Sequence, residues 1–344
     1  MAIDNRQSDD QPDNAQMNNQ LLIIINNKAA RARQAWPIIR QRLEESRIQF
    51  AMHVTTRAGD ATVTVRNALE QGCRTIAVVG GDGTLGEAAE GFFELSAPRR
   101  DALPRHVSPE ATLAILPAGT GDDFARGLMG SRIHLEQWVS IFLAHVQGGT
   151  TTSTRMVDVL YGTCDRYTRP FICLNASTMG IGGETAARVA AQGRFSRRFS
   201  GETRFMAAAL GALLNWRERR VRVSVDDQTV IDSSMNLAAI ANNRYAGGGM
   251  MLSPGARVDD GQLDVVTASG LTRAGIVREL RRIHTGGHVA NPKVCIHQGK
   301  KARIETFTPE DAMLIEVDGN LRGKTPAEFC VMPGALRFIA GSGL

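Results

Sequence analysis

The chain has 344 residues, 43% hydrophobic and 22% charged, with a formal net charge of +5. At roughly 150 residues per domain, this predicts about two globular domains and excludes a disordered chain, a coiled coil and a collagen-like repeat. Aromatic residues are 5% and none interleave with a basic stretch, so nucleic acid is not an expected partner; the mild positive charge permits phosphate or a phospholipid surface.

Residues 1–19 are polar, carry Asp4, Asp9, Asp10 and Asp13, and lack the apolar stretch of a signal peptide. They read as a disordered leader. The run Leu21-Leu-Ile-Ile-Ile25 predicts a strand buried on both faces. A helix follows over 30–46, with Trp36, Ile39 and Leu43 on one face and Pro37 near its start. Then come a strand at 50–55, a helix at 61–70, a strand at 75–79, a helix at 85–95 and a strand at 111–116. This alternation predicts an α/β domain with an open parallel sheet. The small-residue stretch Gly148-Gly-Thr-Thr-Thr-Ser153 marks a boundary. Beyond it, strands are expected at 155–161, 171–176, 220–225, 237–241, 263–268, 302–306 and 313–317, and helices at 202–216 and 272–283. That pattern predicts a second domain on antiparallel sheet. No run of about 18 apolar residues occurs. The five cysteines are widely spaced without a CxxC pair, which predicts reduced thiols in a cytoplasmic protein.

The strand at 75–79 runs into Gly80-Gly-Asp-Gly-Thr84 and then a helix. Glycines let a backbone approach a ligand, and the helix N-terminus offers unpaired N–H groups. Three glycines, an acid and a threonine exceed what a tight turn needs, so the loop reads as a phosphate seat. It also fits G-x-G-x-x-G, the dinucleotide fingerprint. However, it follows the third strand, and the acid expected about 20 residues on falls in a loop at Asp101. An Asp inside the loop repels a pyrophosphate unless a metal intervenes, which favours metal–ATP. Gly319-Asn-Leu-Arg-Gly-Lys-Thr325 imitates a P-loop, but Asp318 stands where the first glycine belongs; it reads as a strand and turn. Asp122 and Asp123 before Phe124 read as a helix cap. His284 and His288, separated by glycines, read as surface loop.

Further blocks are Thr55-Thr-Arg-Ala-Gly-Asp-Ala61, Pro117-Ala-Gly-Thr-Gly-Asp-Asp-Phe-Ala-Arg126, Asn243-Arg-Tyr-Ala-Gly-Gly-Gly-Met250, Val258-Asp-Asp-Gly-Gln-Leu-Asp264 and Glu316-Val-Asp-Gly319. In this order they resemble the diacylglycerol-kinase-type lipid kinases, which include bacterial soluble diacylglycerol kinases, sphingosine kinases and ceramide kinases. The resemblance covers about residues 20 to 340. It implies an α/β nucleotide-binding domain over 20–150, with 327–344 returning to it, and a β-sandwich lipid-substrate domain over 151–326. It implies ATP in the cleft, held by Asn26, Thr55, Gly80, Gly81, Asp82, Gly83, Thr84 and Thr120. Asp82 would join the network around a catalytic Mg²⁺. Asp260, with the carbonyls of Arg257 and Gln262, would match a structural Mg²⁺ site. The resemblance further implies a lipid substrate met at the inner face of a membrane, and it allows a homodimer.

Two departures bear on activity. The first loop reads Asn26-Asn-Lys-Ala-Ala30, without the family's glycine; Lys28 compensates by charge. Asp318-Gly319-Asn320 replaces the family's DGE, whose Glu is the general base. Asn320 still orients a hydroxyl, with Asp318 or Asp82 taking its proton. The reading is an ATP- and Mg²⁺-dependent lipid kinase, catalysed through Asp82, Asp318 and Asn320. The alternative is a catalytically weak nucleotide- or lipid-binding protein of the same fold. NAD kinase is disfavoured by the later blocks. An arginine-rich region (Arg194, Arg197, Arg198, Arg204, Arg217, Arg219, Arg220, Arg222) surrounds a helix carrying Met206, Leu210, Leu213 and Leu214. It reads equally as a lipid-docking face or a solvated one.

Overall fold

A strand covered by helices on both faces has no wet side, so it is apolar throughout. In a computed structural model, which describes residues 20–95, 103–148, 154–165, 169–192 and 201–341, such runs form the centre of the parallel part of the first sheet, with the half-exposed strand at 51–54 at its edge. Its elements in order are β1 (Leu21–Ile25), α1 (Ala30–Glu45), β2 (Ala51–Val54), α2 (Asp60–Glu70), β3 (Thr75–Gly80), α3 (Asp82–Gly91), β4 (Thr112–Pro117), α4 (Asp123–Leu128) and α5 (Leu135–Val146). β1 lies between β2 and β3, and β3 lies beside β4, all parallel. This is the expected α/β half.

The second half runs β5 (Thr154–Cys164), β6 (Phe171–Cys173), β7 (Ala176–Gly180), α6 (Ile181–Ala191), α7 (Gly201–Asn215), β8 (Arg219–Val225), β9 (Gln228–Met235), β10 (Leu237–Ala241), β11 (Tyr245–Ala246) and β12 (Met250–Met251). It continues through β13 (Leu263–Ala268), α8 (Arg273–Arg282), β14 (Val294–Gly299), β15 (Lys301–Thr306), β16 (Leu314–Val317), β17 (Asn320–Lys324) and β18 (Ala327–Ile339). Six strands form an antiparallel sheet in the order β14-β13-β10-β7-β16-β17. Its inner face packs on β5, β8, β15 and β18, burying Met179, Ile240, Val265, Ile315, Val317, Ile304 and Phe329 in one cluster. This is the expected β-sandwich.

The long strand β18 joins the halves. Its start pairs with β15 and its end pairs parallel with β4, at Arg337 and Phe338, so one sheet runs through both halves. Its ladder with β5 shifts register between Met332 and Leu336. Pro333 sits there, where a bulge asks for no ladder N–H.

Some expectations are corrected. Pro37 lies inside α1, beyond its first turn; its missing N–H falls on the outer face, where Arg33 is exposed. The helix after the glycine loop begins at Asp82, earlier than expected, because the loop's own residues form its first turn. His288 is buried, its Nε2 3.0 Å from the Leu252 carbonyl. The mimic of a P-loop is indeed a turn and the strand β17. No disulfide forms among the cysteines. The leader and the boundary at 149–153 lie outside the described residues.

Phe329 is fully buried, its ring centroid 5.8 Å from that of Phe171. Phe329→Ala should lower the unfolding free energy by about 3–5 kcal/mol in a urea titration. A loss below about 1 kcal/mol would contradict this core assignment.

Candidate active site

The glycine loop follows the C-terminal end of β3 and opens α3. Beside it, the loop after β4 carries Gly119 and Thr120. The two backbones touch: a Cβ on Gly119 would lie 2.6 Å from the Gly81 Cα, and one on Gly81 3.0 Å from the Gly119 Cα. Only glycine fits this crossing, and it leaves backbone amides bare at a helix N-terminus. Thr84 is fixed by Asn26, whose Nδ2 donates to its Oγ1 at 2.8 Å. The Lys28 N–H donates to Asn26 Oδ1 at 3.1 Å. Thr55 extends the same rim; its N–H donates to the Ile25 carbonyl at 2.9 Å. Thr120 is exposed on the opposite lip. The structure therefore gathers Asn26, Thr55, residues 80–84 and Thr120 at the C-terminal ends of the parallel strands β1 to β4.

Asp82 lies among these residues. Its Oδ2 accepts from Asp123 N at 3.0 Å; its Oδ1 accepts from Phe124 N at 2.9 Å and from Asn175 Nδ2 at 3.1 Å. The cap of α4 is thus Asp82, 41 residues upstream. Asp122, expected as the cap, makes no side-chain cap bond. It sits at φ +52° and closes its own loop by accepting from Gly119 N at 2.8 Å. Asp123 turns to the other half of the molecule, accepting from Gly248 N at 2.7 Å and Gly249 N at 2.6 Å. Asn243 Nδ2 donates to the Asp123 carbonyl and to Asn175 Oδ1.

Asp318 occupies the β16–β17 turn at φ +46°. Its carboxylate accepts from the backbone N–H groups of Leu174, Asn175 and Ala176 at 2.7, 2.9 and 3.2 Å. Asn320, half-buried, faces the glycine loop: its Nδ2 is 3.6 Å from where a Gly83 Cβ would stand. The structure thus unites Asp82, Asp318 and Asn320 in one cleft. Asp123, Asn175 and Asn243 belong to it as well, although they were not assigned from the sequence. Asp123 reads from the sequence as a cap and Asn243 as the start of a glycine-rich block; Asn175, a single asparagine, gives no spacing to read.

The carboxylates crowd one another. Burial, with the charge of Asp82 nearby, pushes Asp123 up to about 7. Burial also pushes Asp318 up to about 7, against the pull of the amides it accepts from and with Glu316 and Asp82 adding to the rise. Asp122 is raised as well, mainly by burial. A cluster that resists full ionisation this way is suited to a cation.

The predicted metal loop lies apart, at residues 257–262. Asp260 Oδ1 accepts from Gln262 N at 3.0 Å, and burial raises its pKa, with Asp158 and Asp264 adding. Asp158 fixes the loop by accepting from Gly261 N at 2.6 Å and Gly334 N at 2.7 Å. Among the described residues, no three carboxylate, imidazole or thiol side chains converge as a self-sufficient metal centre. A cation at either place would need further oxygen ligands, such as backbone carbonyls.

The raised pKa of Asp123 has a signed consequence. Its folded value, about 7, exceeds the ordinary 3.8, so its contribution to stability is complete below pH 4 and declines as pH rises through 7. The destabilisation caused by Asp123→Ala should therefore shrink from pH 4 to pH 8 in urea titrations without metal. A cost that grows with pH would contradict the environment described.

Comparison with known proteins agrees with this architecture. Residues 20–158 match the family model for the diacylglycerol kinase catalytic domain, and residues 178–340 match the YegS C-terminal NAD kinase beta sandwich-like domain. A Pseudomonas aeruginosa protein named "Probable lipid kinase YegS-like" is 30% identical over 92% of this chain and 93% of its own. A diacylglycerol kinase of Staphylococcus carnosus is 25% identical over 85% of each chain. The crystal structure of a diacylglycerol kinase from Bacillus anthracis shares the fold, with a TM-score of 0.61 at 19% identity over 93% of this chain and 96% of that one. With both halves matched in order and a relative of 30% identity spanning nearly its full length, the chain belongs to the diacylglycerol-kinase-type family of lipid kinases, which are phosphotransferases.

Proposed function

We propose that the chain transfers the γ-phosphate of ATP, in the presence of Mg²⁺, to a lipid hydroxyl. Diacylglycerol is the leading acceptor, as the name of the Staphylococcus carnosus relative suggests; a sphingoid base or ceramide are the others. The observation that carries the reading is the glycine crossing at Gly81 and Gly119 above the Asp82 carboxylate. Bare amides there suit phosphate oxygens, and the acid beneath suits a bridging cation.

The residues present fit a nucleotide with magnesium. Gly80, Gly81, Gly83, Thr84 and Thr120 would surround the phosphates, and Asn26 and Thr55 would line the nucleotide. Asp82 would hold the catalytic Mg²⁺, whose chemistry is to neutralise phosphate charge. Asp260 and the carbonyls of Arg257 and Gln262 would hold the structural Mg²⁺ with an all-oxygen set. Asp318 accepts three backbone amides, so it first shapes the turn that presents Asn320.

An Asn amide takes no proton at neutral pH, and a general base is worth about 10²–10⁴-fold. Phosphoryl transfer passes a loose transition state in which positioning and charge neutralisation dominate. Asn320 orients the acceptor hydroxyl, and a raised carboxylate of the cleft takes its proton. The expected enzyme is slower than one with Glu at this position.

Contact with a lipid surface is supported by apolar exposure more than by charge. Leu210 and Leu214 on α7 are 47% and 70% exposed, beside an apolar groove of about 510 Å³ between α7 and α8. Much of the arginine cluster is engaged within its own domain: Arg217 pairs with Asp311 at 3.1 Å, and Arg220 and Arg222 both pair with Asp232. Arg194, Arg197 and Arg198 lie outside the described residues, as does the side chain of Arg204. No described helix is long and apolar enough to cross a membrane.

Radiolabelled ATP, Mg²⁺ and mixed micelles of diacylglycerol, sphingoid base or ceramide test the proposal. Label in an organic-extractable product is expected and names the acceptor. Asp82→Ala should abolish turnover in a folded protein, and Asn320→Glu should raise the rate, by on the order of 10²-fold if the base is the missing part. Nucleotide binding without label in any lipid would favour the binding-protein reading.

A further inference from the structure

One face of α3 holds the β16–β17 turn. Gly83, Gly86 and Glu90 follow at helical spacing. A Cβ on Gly83 would stand 3.4 Å from the Asp318 carbonyl oxygen, and one on Gly86 3.3 Å from Asp318 Oδ2. The helix therefore lies directly on the turn. One turn further on, Glu90 Oε1 meets Arg322 Nη2 at 2.5 Å, with side chains only 8% and 24% exposed. Arg322 stands two places after Asn320 on β17, at the register shift of the β16–β17 ladder, and both side chains reach α3, Asn320 at Gly83 and Arg322 at Glu90. Arg66 ties down the end of α3 by donating to the Glu90 carbonyl at 3.2 Å.

Burial raises the Glu90 carboxyl, and Arg322 and the Ile172 amide of β6 draw it back. A buried ion pair adds little net stability over an apolar pair of similar volume. What it does add is a link between α3 and β17: one close charge contact from Arg322 Nη2 to Glu90 Oε1, while Arg322 Nε makes no hydrogen bond.

We infer that Glu90 and Arg322 are positioning residues that set the spacing between the nucleotide loop on α3 and the acceptor-side turn carrying Asp318 and Asn320. Neither touches the reacting groups; each acts through the element it fixes. The effect on turnover rests on the kinase reading above. The effect on the turn does not.

The test uses the full chain with Glu90→Met/Arg322→Met together, so that no charge is left buried alone, and Arg322→Lys as the conservative variant. Amide hydrogen exchange at residues 319–322, the thermal midpoint, and kcat and KM for ATP are read side by side. In the double variant, exchange at the turn should rise roughly tenfold or more while the rest of the sandwich and the midpoint hold. With an acceptor in hand, kcat should fall on the order of 10²-fold with KM for ATP within about twofold, as misplacement by about 1 Å predicts. Arg322→Lys should recover part of both effects. Unchanged exchange at the turn would overturn the inference, and so would a uniform rise across the sandwich with a falling midpoint. If the wild type itself phosphorylates no lipid, the kinase reading fails, while the exchange measurement still decides the role of the pair.

Discussion

The carboxylate of Asp82 accepts from the amides of Asp123 and Phe124 and from the side chain of Asn175. These donors come from the first turn of α4 and from the segment between β6 and β7. One side chain thus caps a helix, fixes the second glycine loop and reaches the other half of the molecule. Asp123 repeats the device toward Gly248 and Gly249, and Asp318 toward residues 174–176. The cleft is held by carboxylates accepting amides, bonds stronger than those between neutral groups. β18 supplies the covalent counterpart by running through both halves.

That construction determines the electrostatics. Carboxylates that must accept amides cannot leave, so they crowd and lose water together, and Asp123 and Asp318 rise to about 7. Asn at position 320 places no further carboxylate in this crowd. On the proposed function, in which positioning and charge neutralisation dominate, replacing a base by Asn320 would cost less than losing Asp82.

Much of this was legible in the sequence. β1 is apolar throughout, and β3 and β4 are apolar after a leading threonine, because both their faces are covered, and the glycine loop announces itself by composition. What escaped did so for physical reasons. α6 begins Ile181-Gly-Gly-Glu-Thr-Ala-Ala187, too small-sided to show a stripe. β9 is largely exposed and carries polar residues. β18 contains Pro333 and Gly334, which read as a break although a bulge absorbs them. α5 carries an apolar face, at Trp138, Val139, Phe142 and Leu143, a helical signal that the sequence does contain. The site shows the same division. Asp82 is visible from its loop, whereas Asn175 and Asn243 become meaningful only when folding brings them to Asp82 and Asp123.

The central claim is that the crossing of the two glycine loops above Asp82 is a magnesium–nucleotide seat. Calorimetric titration with a non-hydrolysable ATP analogue, with and without Mg²⁺, tests it most directly when wild type is set beside Gly119→Ala, whose Cβ would meet the Gly81 Cα at 2.6 Å. The account predicts binding that depends on Mg²⁺ in the wild type and weakens at least about tenfold, or roughly 1.4 kcal/mol, in the variant. Equal, magnesium-independent affinity in both proteins would contradict it.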